Sequence, residues 1–226
     1  MKTACILFDL DGTLCDTTDV DDECYRQAVA RILGHDVHEI DWTRAPHRTD
    51  SGIARWLWNK HRGRPPIPEE IAAVRQEFFE RLGLERMRSP HRFASIAGAG
   101  GFLETCLSGG LRVGIGTGGW RPSAALKLEA AGLPVELLFA TSDDAETRAE
   151  IFSLAKKQAL AGGVDTPVLL IGDSDCDAAT ARYFGWAFVG IGSETSVPRL
   201  DGASCILRDF RSVDLQMLSR IACEAR

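Results

Sequence analysis

The sequence predicts an α/β protein in which a parallel sheet is interrupted, soon after its first strand, by a block of helices. Short apolar runs rich in strand formers recur after residue 92 and alternate with helix-compatible stretches, the pattern of βαβ units. One further run, ACILF at 4–8, stands apart near the amino end. Between them, from about 19 to 90, charges are frequent, Trp and Phe cluster, and no comparable strand signal occurs. The expected organisation is a Rossmann-like parallel sheet core built from residues 1–15 and 91–226, with residues 16–90 forming an inserted helical domain. At 226 residues the chain is long for one minimal domain and short for two full ones, which suits a core carrying an insertion.

In chain order, ACILF reads as a buried strand that ends at DLDGT, where Asp and Gly favour a turn. Three stretches of the insert, near 20–33, 50–61 and 69–83, have helical spacing. Ile53, Trp56 and Leu57 form an i, i+3, i+4 stripe, and Pro68 followed by Glu69 and Glu70 is a helix start. Trp56, Trp58, Phe78 and Phe79 are expected to supply the insert's own core. The later strands are RVGIGT at 112–117, LLFAT at 137–141, PVLLIGD at 167–173 and AFVGIG at 187–192. GAGG at 98–101 is too short for a linker, and there are no repeats or low-complexity tracts.

Composition narrows the function classes. Lys and Arg number 26 against 32 Asp and Glu, a formal charge of -6, so non-specific attraction to nucleic acid is not expected. The seven cysteines are odd in number and include no C-x-x-C pair, which favours reduced thiols over a disulfide framework. The chain meets Asp9 and Asp11 too early for a signal-peptide core, and no apolar run reaches the roughly 18 residues of a membrane helix. A cytoplasmic protein with no membrane partner, monomeric or homodimeric, is expected.

The candidate chemistry lies at the carboxyl ends of the expected strands, the edge where open parallel sheets bind ligands. DLDGT sets Asp9 and Asp11 two residues apart on a tight loop. One carboxylate can then attack phosphorus while the other reaches the leaving oxygen. The same residues taken alone equally suit a turn with a capping Asp. PVLLIGDSDCD brings Asp173 and Asp177 to another strand end. Clustered carboxylates there suit Mg²⁺, with Asp173 the preferred direct ligand and Asp177, four residues on, a further ligand or a supporting partner. Ser174, Asp175 and Asp177 would also serve simply as helix caps. RVGIGTGGW ends a strand in Thr117 and Gly118, with Pro122 in the first turn of the next helix, so a hydroxyl and free amides can cradle phosphate.

Gly114, Gly116 and Gly119 also spell G-x-G-x-x-G. Gly114, however, falls inside the strand instead of its exit turn, and no acidic residue closes the following strand, so a dinucleotide site is disfavoured. For positive charge near the phosphate, Arg148 at the start of the helix after LLFATSDD is best placed. Lys127, Lys156 and Lys157 fall inside helices, where a solvated face is the simpler expectation. In TRAPHRTD, Arg44, His47, Arg48 and Thr49 make a small basic loop that could meet a carboxylate or second phosphate, although such runs are usually solvated. Cys15 has no activating base in view and is read as packing.

FDLDGTL at 8–14, the strand ending in Thr117, and GDSDCD at 172–177 resemble, in order, the first, second and fourth motifs of the haloacid dehalogenase superfamily, and the insert takes the place of its helical type-one cap. The resemblance implies that Asp9 is the nucleophile and a Mg²⁺ ligand. It makes Asp11 the acid/base, binding the metal through its backbone carbonyl, and Asp173 the third protein ligand. The third motif departs from the family, since Arg148 stands where Lys is usual. Asp11 favours phosphoryl transfer, because the dehalogenases lack an acid/base Asp there. The reading is a Mg²⁺-dependent phosphatase for a small phosphorylated metabolite, in appearance like phosphoglycolate phosphatase. A β-phosphoglucomutase-like mutase and a non-catalytic binding protein on the same scaffold are the alternatives.

Overall fold

A computed structural model describes residues 4–161, 163, 166–192 and 200–224 of the chain. Six parallel strands form one sheet: β1 (Cys5–Phe8), β2 (Arg112–Gly116), β3 (Leu138–Ala140), β4 (Val168–Gly172), β5 (Ala187–Ile191) and β6 (Cys205–Leu207). Their order is β3-β2-β1-β4-β5-β6, so β1 lies between the two strands whose ends carry Thr117 and Asp173. Five of the six coincide with the apolar runs read from the sequence. The sixth, CIL at the sheet edge, is three residues long and only partly buried, too little for a hydrophobic pattern to reveal.

The alternation of a strand explains the layering. Ile6 and Phe8 of β1, with Leu169 and Ile171 of β4, face one apolar cluster. Cys5 and Leu7, with Val168 and Leu170, face a second on the other side. A strand covered on both faces must be apolar at every position, as CILF is. Helices α4 (Ala99–Ser108), α5 (Arg121–Ala130) and α8 (Leu215–Glu224) supply the first layer, and α6 (Arg148–Leu160) and α7 (Asp175–Phe184) the second. A Cβ on Gly114 would lie 2.8 Å from the Phe139 ring, and one on Gly116 would lie 3.2 Å from Phe152. Both glycines sit within β2, so they serve close packing against this second layer and not a dinucleotide turn.

Between β1 and β2 the chain forms α1 (Thr18–Leu33), α2 (Asp50–Arg62) and α3 (Pro68–Arg88). Pro68 is the first residue of α3, and the Glu70 carboxylate accepts from the Ile67 N–H at 2.9 Å, closing the helix start. These helices gather a separate cluster centred on Tyr25, Leu57, Trp58 and Phe78, completed by Leu126 from α5 and by Trp120 just before it. Two of the four aromatic residues expected there do not belong to it fully. Trp56 is only partly buried, and Phe79 is 38% exposed. Successive helical residues point about 100° apart, so Phe79 cannot share the inward face with Phe78, nor Trp56 that of Trp58. All seven cysteines are free, and among the described residues no helix is long and apolar enough to cross a membrane.

Candidate active site

The order of the sheet brings distant residues to one edge. Asp9 follows β1 directly, and its N–H still donates to Ile171 O of β4 at 2.9 Å, which locks the start of the loop to the neighbouring strand. Asp173 follows β4. Thr117 follows β2, with its N–H on Ala140 O at 3.1 Å. Arg148 opens α6 after the loop that leaves β3, behind Thr147, whose hydroxyl caps the helix. Side-chain oxygens of Asp9, Asp173 and Asp177 all lie within 4.8 Å of one another.

Asp9 is 5% exposed. Burial drives its pKa well above the ordinary carboxylate range; Arg148 opposes this, while Asp177, Asp173 and Asp11 add to it. Asp173 is pushed up to about 7, again by burial first and then by Asp177, against the pull of Arg148 and a 3.2 Å hydrogen bond from the Thr13 hydroxyl. Three acids in so small a volume would be relieved by a cation among them. One detail supports the fit. Arg148 Nη2 lies 2.7 Å from Asp9 Oδ1, yet no N–H is directed at that oxygen, which stays without a hydrogen bond, as does the buried Arg148 Nε. A carboxylate oxygen that accepts no hydrogen bond is what a hard cation would use, and the positive charge of Arg148 beside it suits a phosphate oxygen.

Asp177 caps its helix, as expected, and also pairs with Arg148. Its Oδ2 accepts from the Ser174 N–H at 3.1 Å and hydroxyl at 2.6 Å, forming the helix cap, and its Oδ1 receives Arg148 Nη2 at 2.5 Å. With both oxygens engaged it holds Arg148 toward Asp9, and together with Asp9 and Asp173 it completes a group of acids that could hold a metal ion. Thr117 is buried and its hydroxyl accepts from the Gly119 N–H at 3.1 Å. Gly118 is hemmed in, since a Cβ there would meet Arg148 Nη1 at 3.1 Å and Arg48 O at 3.0 Å.

A cavity of about 250 Å³ opens above these groups. Asp9, Asp11, Thr117, Arg148 and Asp173 form its floor, and Asp22, Tyr25, Trp42, Arg48 and Ile53 from the helical insert form its roof. Of the basic loop, Arg48 and Thr49 reach the cavity, whereas Arg44 is exposed and it and His47 are not among the lining residues. Arg48 is turned onto the other half of the protein, where it pairs with Asp175 and donates to Cys176 Sγ at 2.7 Å. Cys15 is fully buried and its thiol is pushed up to about 12 by burial, consistent with packing.

Lys127 overturns the expectation of a solvated face. It is wholly buried, with Nζ 2.6 Å from Asp11 Oδ2 and 2.5 Å from Asp21 Oδ1. Burial disfavours its charge, but the two carboxylates outweigh it and hold the pKa above that of an ordinary lysine. Asp21 is raised to about 6 by burial in spite of Lys127. The other Asp11 oxygen accepts the Thr17 hydroxyl at 2.5 Å. Lys157 is exposed and Lys156 partly so, beneath the Trp186 ring, as expected of them. Asp50, absent from the expected site residues, ties the insert to the loop after β2: its N–H donates to Gly118 O and its Oδ2 accepts from the Trp120 N–H, both at 2.8 Å. The available signal for Lys127 was its place on the buried stripe with Ser123 and Ala124, in a helix that begins at Thr117's loop.

A family model described as haloacid dehalogenase-like hydrolase matches residues 3–185. Several solved structures share the fold. A hydrolase from Pseudomonas syringae is 21% identical, with 98% of this chain and 99% of that one covered and a TM-score of 0.71. A β-phosphoglucomutase from Clostridium difficile is 17% identical, with 99% and 98% covered and a TM-score of 0.69. A crystal structure described as a predicted phosphoglycolate phosphatase from Haemophilus somnus is 18% identical, with 93% and 96% covered and a TM-score of 0.60. No curated protein matches the chain.

Proposed function

The chain belongs to the haloacid dehalogenase-like hydrolases, and from that premise we propose that it is a Mg²⁺-dependent phosphatase of small phosphate monoesters, working through an aspartyl-phosphate on Asp9. The observation that carries the reading is the convergence of Asp9, Asp173 and Arg148, with an Asp9 oxygen that accepts no hydrogen bond 2.7 Å from the guanidinium.

In this scheme Arg148, Thr117 and the amides after it bind the phosphoryl oxygens and turn phosphorus toward Asp9. An Asp9 oxygen attacks phosphorus, the bond to the ester oxygen breaks, and Asp11 delivers a proton to that departing oxygen. Asp11 then takes a proton from water, the oxygen of that water attacks phosphorus, and the bond to Asp9 breaks. Inorganic phosphate leaves, and both carboxyl groups return to their starting states. Asp9, Asp173 and the Asp11 carbonyl would hold Mg²⁺, which would offset the charge of the phosphoryl group. Asp177 keeps Arg148 aimed. The helices of residues 16–90 act as a cap that covers the cavity and selects the leaving group through Tyr25, Trp42 and Arg48. The unpaired thiols suit a cytoplasmic setting.

The test is a panel of 2-phosphoglycolate, glycerol 3-phosphate, glucose 6-phosphate, glucose 1-phosphate and p-nitrophenyl phosphate, assayed for Mg²⁺-dependent phosphate release beside Asp9→Asn. At least one alkyl ester should turn over in the wild type and none in the folded variant. Equal rates in the two would rule out the nucleophile. Interconversion of the glucose phosphates without phosphate release would make the protein a mutase instead.

A further inference from the structure

From the buried contacts of α5 we propose that Lys127 is a positioning residue for Asp11, and that Asp21 keeps Lys127 paired whenever Asp11 leaves it to serve the substrate. The inference rests on the reading of Asp11 as the proton donor to the leaving oxygen.

Lys127 is 0% exposed on a helix whose neighbouring buried positions are Ser123, Ala124, Leu126 and Leu128. A core position of that kind normally takes an aliphatic residue, because a buried ammonium is stable only when carboxylates surround it. Here the ammonium meets the one carboxylate that must move a proton. Asp11 is held from two sides, Oδ2 by Lys127 and Oδ1 by Thr17. The loop carrying Asp11 also touches the backbone of Lys127, since Cys15 Sγ donates to Lys127 O at 3.9 Å. Helix α5 therefore grips the catalytic loop through both the side chain and the carbonyl of one residue.

A firm grip alone would hinder catalysis, because an acid that swings to the leaving oxygen would strand a buried cation. Asp21 removes that difficulty. It comes from the first turn of α1, at the entry to the helical insert, and contacts Nζ at 2.5 Å independently of Asp11. With two acceptors on one ammonium, either can be lent out while the other keeps the charge paired. The same three residues join the insert to the catalytic loop, so a movement of α1 reaches Asp11 through Lys127.

The experiment compares kcat/KM, which reports steps up to formation of the aspartyl-phosphate, for two classes of ester. These are p-nitrophenyl phosphate, whose leaving group is weakly basic and needs little protonation, and the best alkyl ester of the panel, whose leaving group requires a proton. In Asp21→Asn, a substitution of equal size, Lys127 keeps Asp11 as its one ion-pair contact, with Asp50 acting on it only at longer range, and holds it back. The alkyl ester should lose at least about tenfold more than the aryl ester, within the range that general acid catalysis contributes. Lys127→Met and the charge-balanced Lys127→Met/Asp21→Asn should show the same selective loss, because Asp11 is then unheld. Equal losses on both esters, or a wild-type ratio in Asp21→Asn, would overturn the proposal. If instead the wild type hydrolyses no ester, or Asp9→Asn matches it, the phosphatase reading itself fails, and the two failures are distinguishable.

Discussion

Gly12 offers a sharp test of how closely the catalytic loop is fitted to Asp173. Its φ is +77°, and a Cβ there would lie 2.6 Å from Asp173 Cγ and 2.3 Å from its Oδ2. Carbon atoms in contact sit at about 3.5 Å or more, so in Gly12→Ala the Asp173 carboxyl has to retreat by about 1 Å. A displacement of about 1 Å at a reacting centre typically costs about 100-fold in rate. The left-handed backbone adds about 1–2 kcal/mol of strain for any residue with a Cβ. Gly132 separates the two effects, because its φ is +68° and nothing lies within 4 Å of the corresponding Cβ. Gly12→Ala and Gly132→Ala should therefore both lower Tm, by about 2–8 °C for a chain of this size. Only Gly12→Ala should lose about two orders of magnitude in kcat/KM and need more Mg²⁺ for half-maximal phosphate release. If Gly12→Ala keeps a kcat/KM and Mg²⁺ midpoint within twofold of wild type, Asp173 is not where the chemistry happens.

Metal-free stability should depend on pH in a direction set by Asp173. Its carboxyl is raised from 3.8 to about 7 in the folded protein, so the folded state binds the extra proton across that interval, and stability falls as pH climbs from about 4 to 7. Measured in EDTA, the wild type should lose Tm over this range relative to Asp173→Asn, and a flat difference would contradict the burial of that acid. Mg²⁺ at about 100 times its Kd should restore about 2.7 kcal/mol, most visibly above pH 7, and no Tm response there would remove the metal from the mechanism. Arg148→Lys keeps the charge but offers one nitrogen in place of three, so it can keep the Nη2 contacts to Asp177 and Asp9 only by giving up Nη1 beside Gly118 and the open Nε; losing one charged hydrogen bond of about 1.5–3 kcal/mol to a phosphoryl oxygen should lower kcat/KM by about 10- to 100-fold, and wild-type kinetics would show that the extra donors are unimportant. Lys127→Met leaves the part-buried Asp11 and Asp21 without their cation and should destabilise by up to about 3–5 kcal/mol in urea unfolding, with part recovered in Lys127→Met/Asp21→Asn; an unchanged midpoint would mean the ammonium is not buried.

Local patterns determined the skeleton of this protein. Five apolar runs became β1 to β5, and three helical stripes became α1 to α3, because side-chain periodicity and turn residues act over a few positions and survive in any context. The strand-end positions of Asp9, Thr117, Arg148 and Asp173 followed from the same patterns, and the sheet order then gathered them around one cavity. The edge strand β6 escaped notice because three half-buried residues carry too little pattern. Phe79 lies largely outside the core where Phe78 is buried, and composition does not say which of two adjacent aromatics turns inward.

What the chain alone could not decide is where charges come to rest. Lys127, Asp21 and Asp50 lie on three different helices, and although helical spacing puts Lys127 on a buried stripe, nothing local says which partners would meet its charge. Tertiary packing alone sets Lys127 between Asp11, 116 residues away in the chain, and Asp21, 106 away. Periodicity is a property of neighbours in sequence, whereas the energy of a buried charge depends on which distant partners the fold delivers to it.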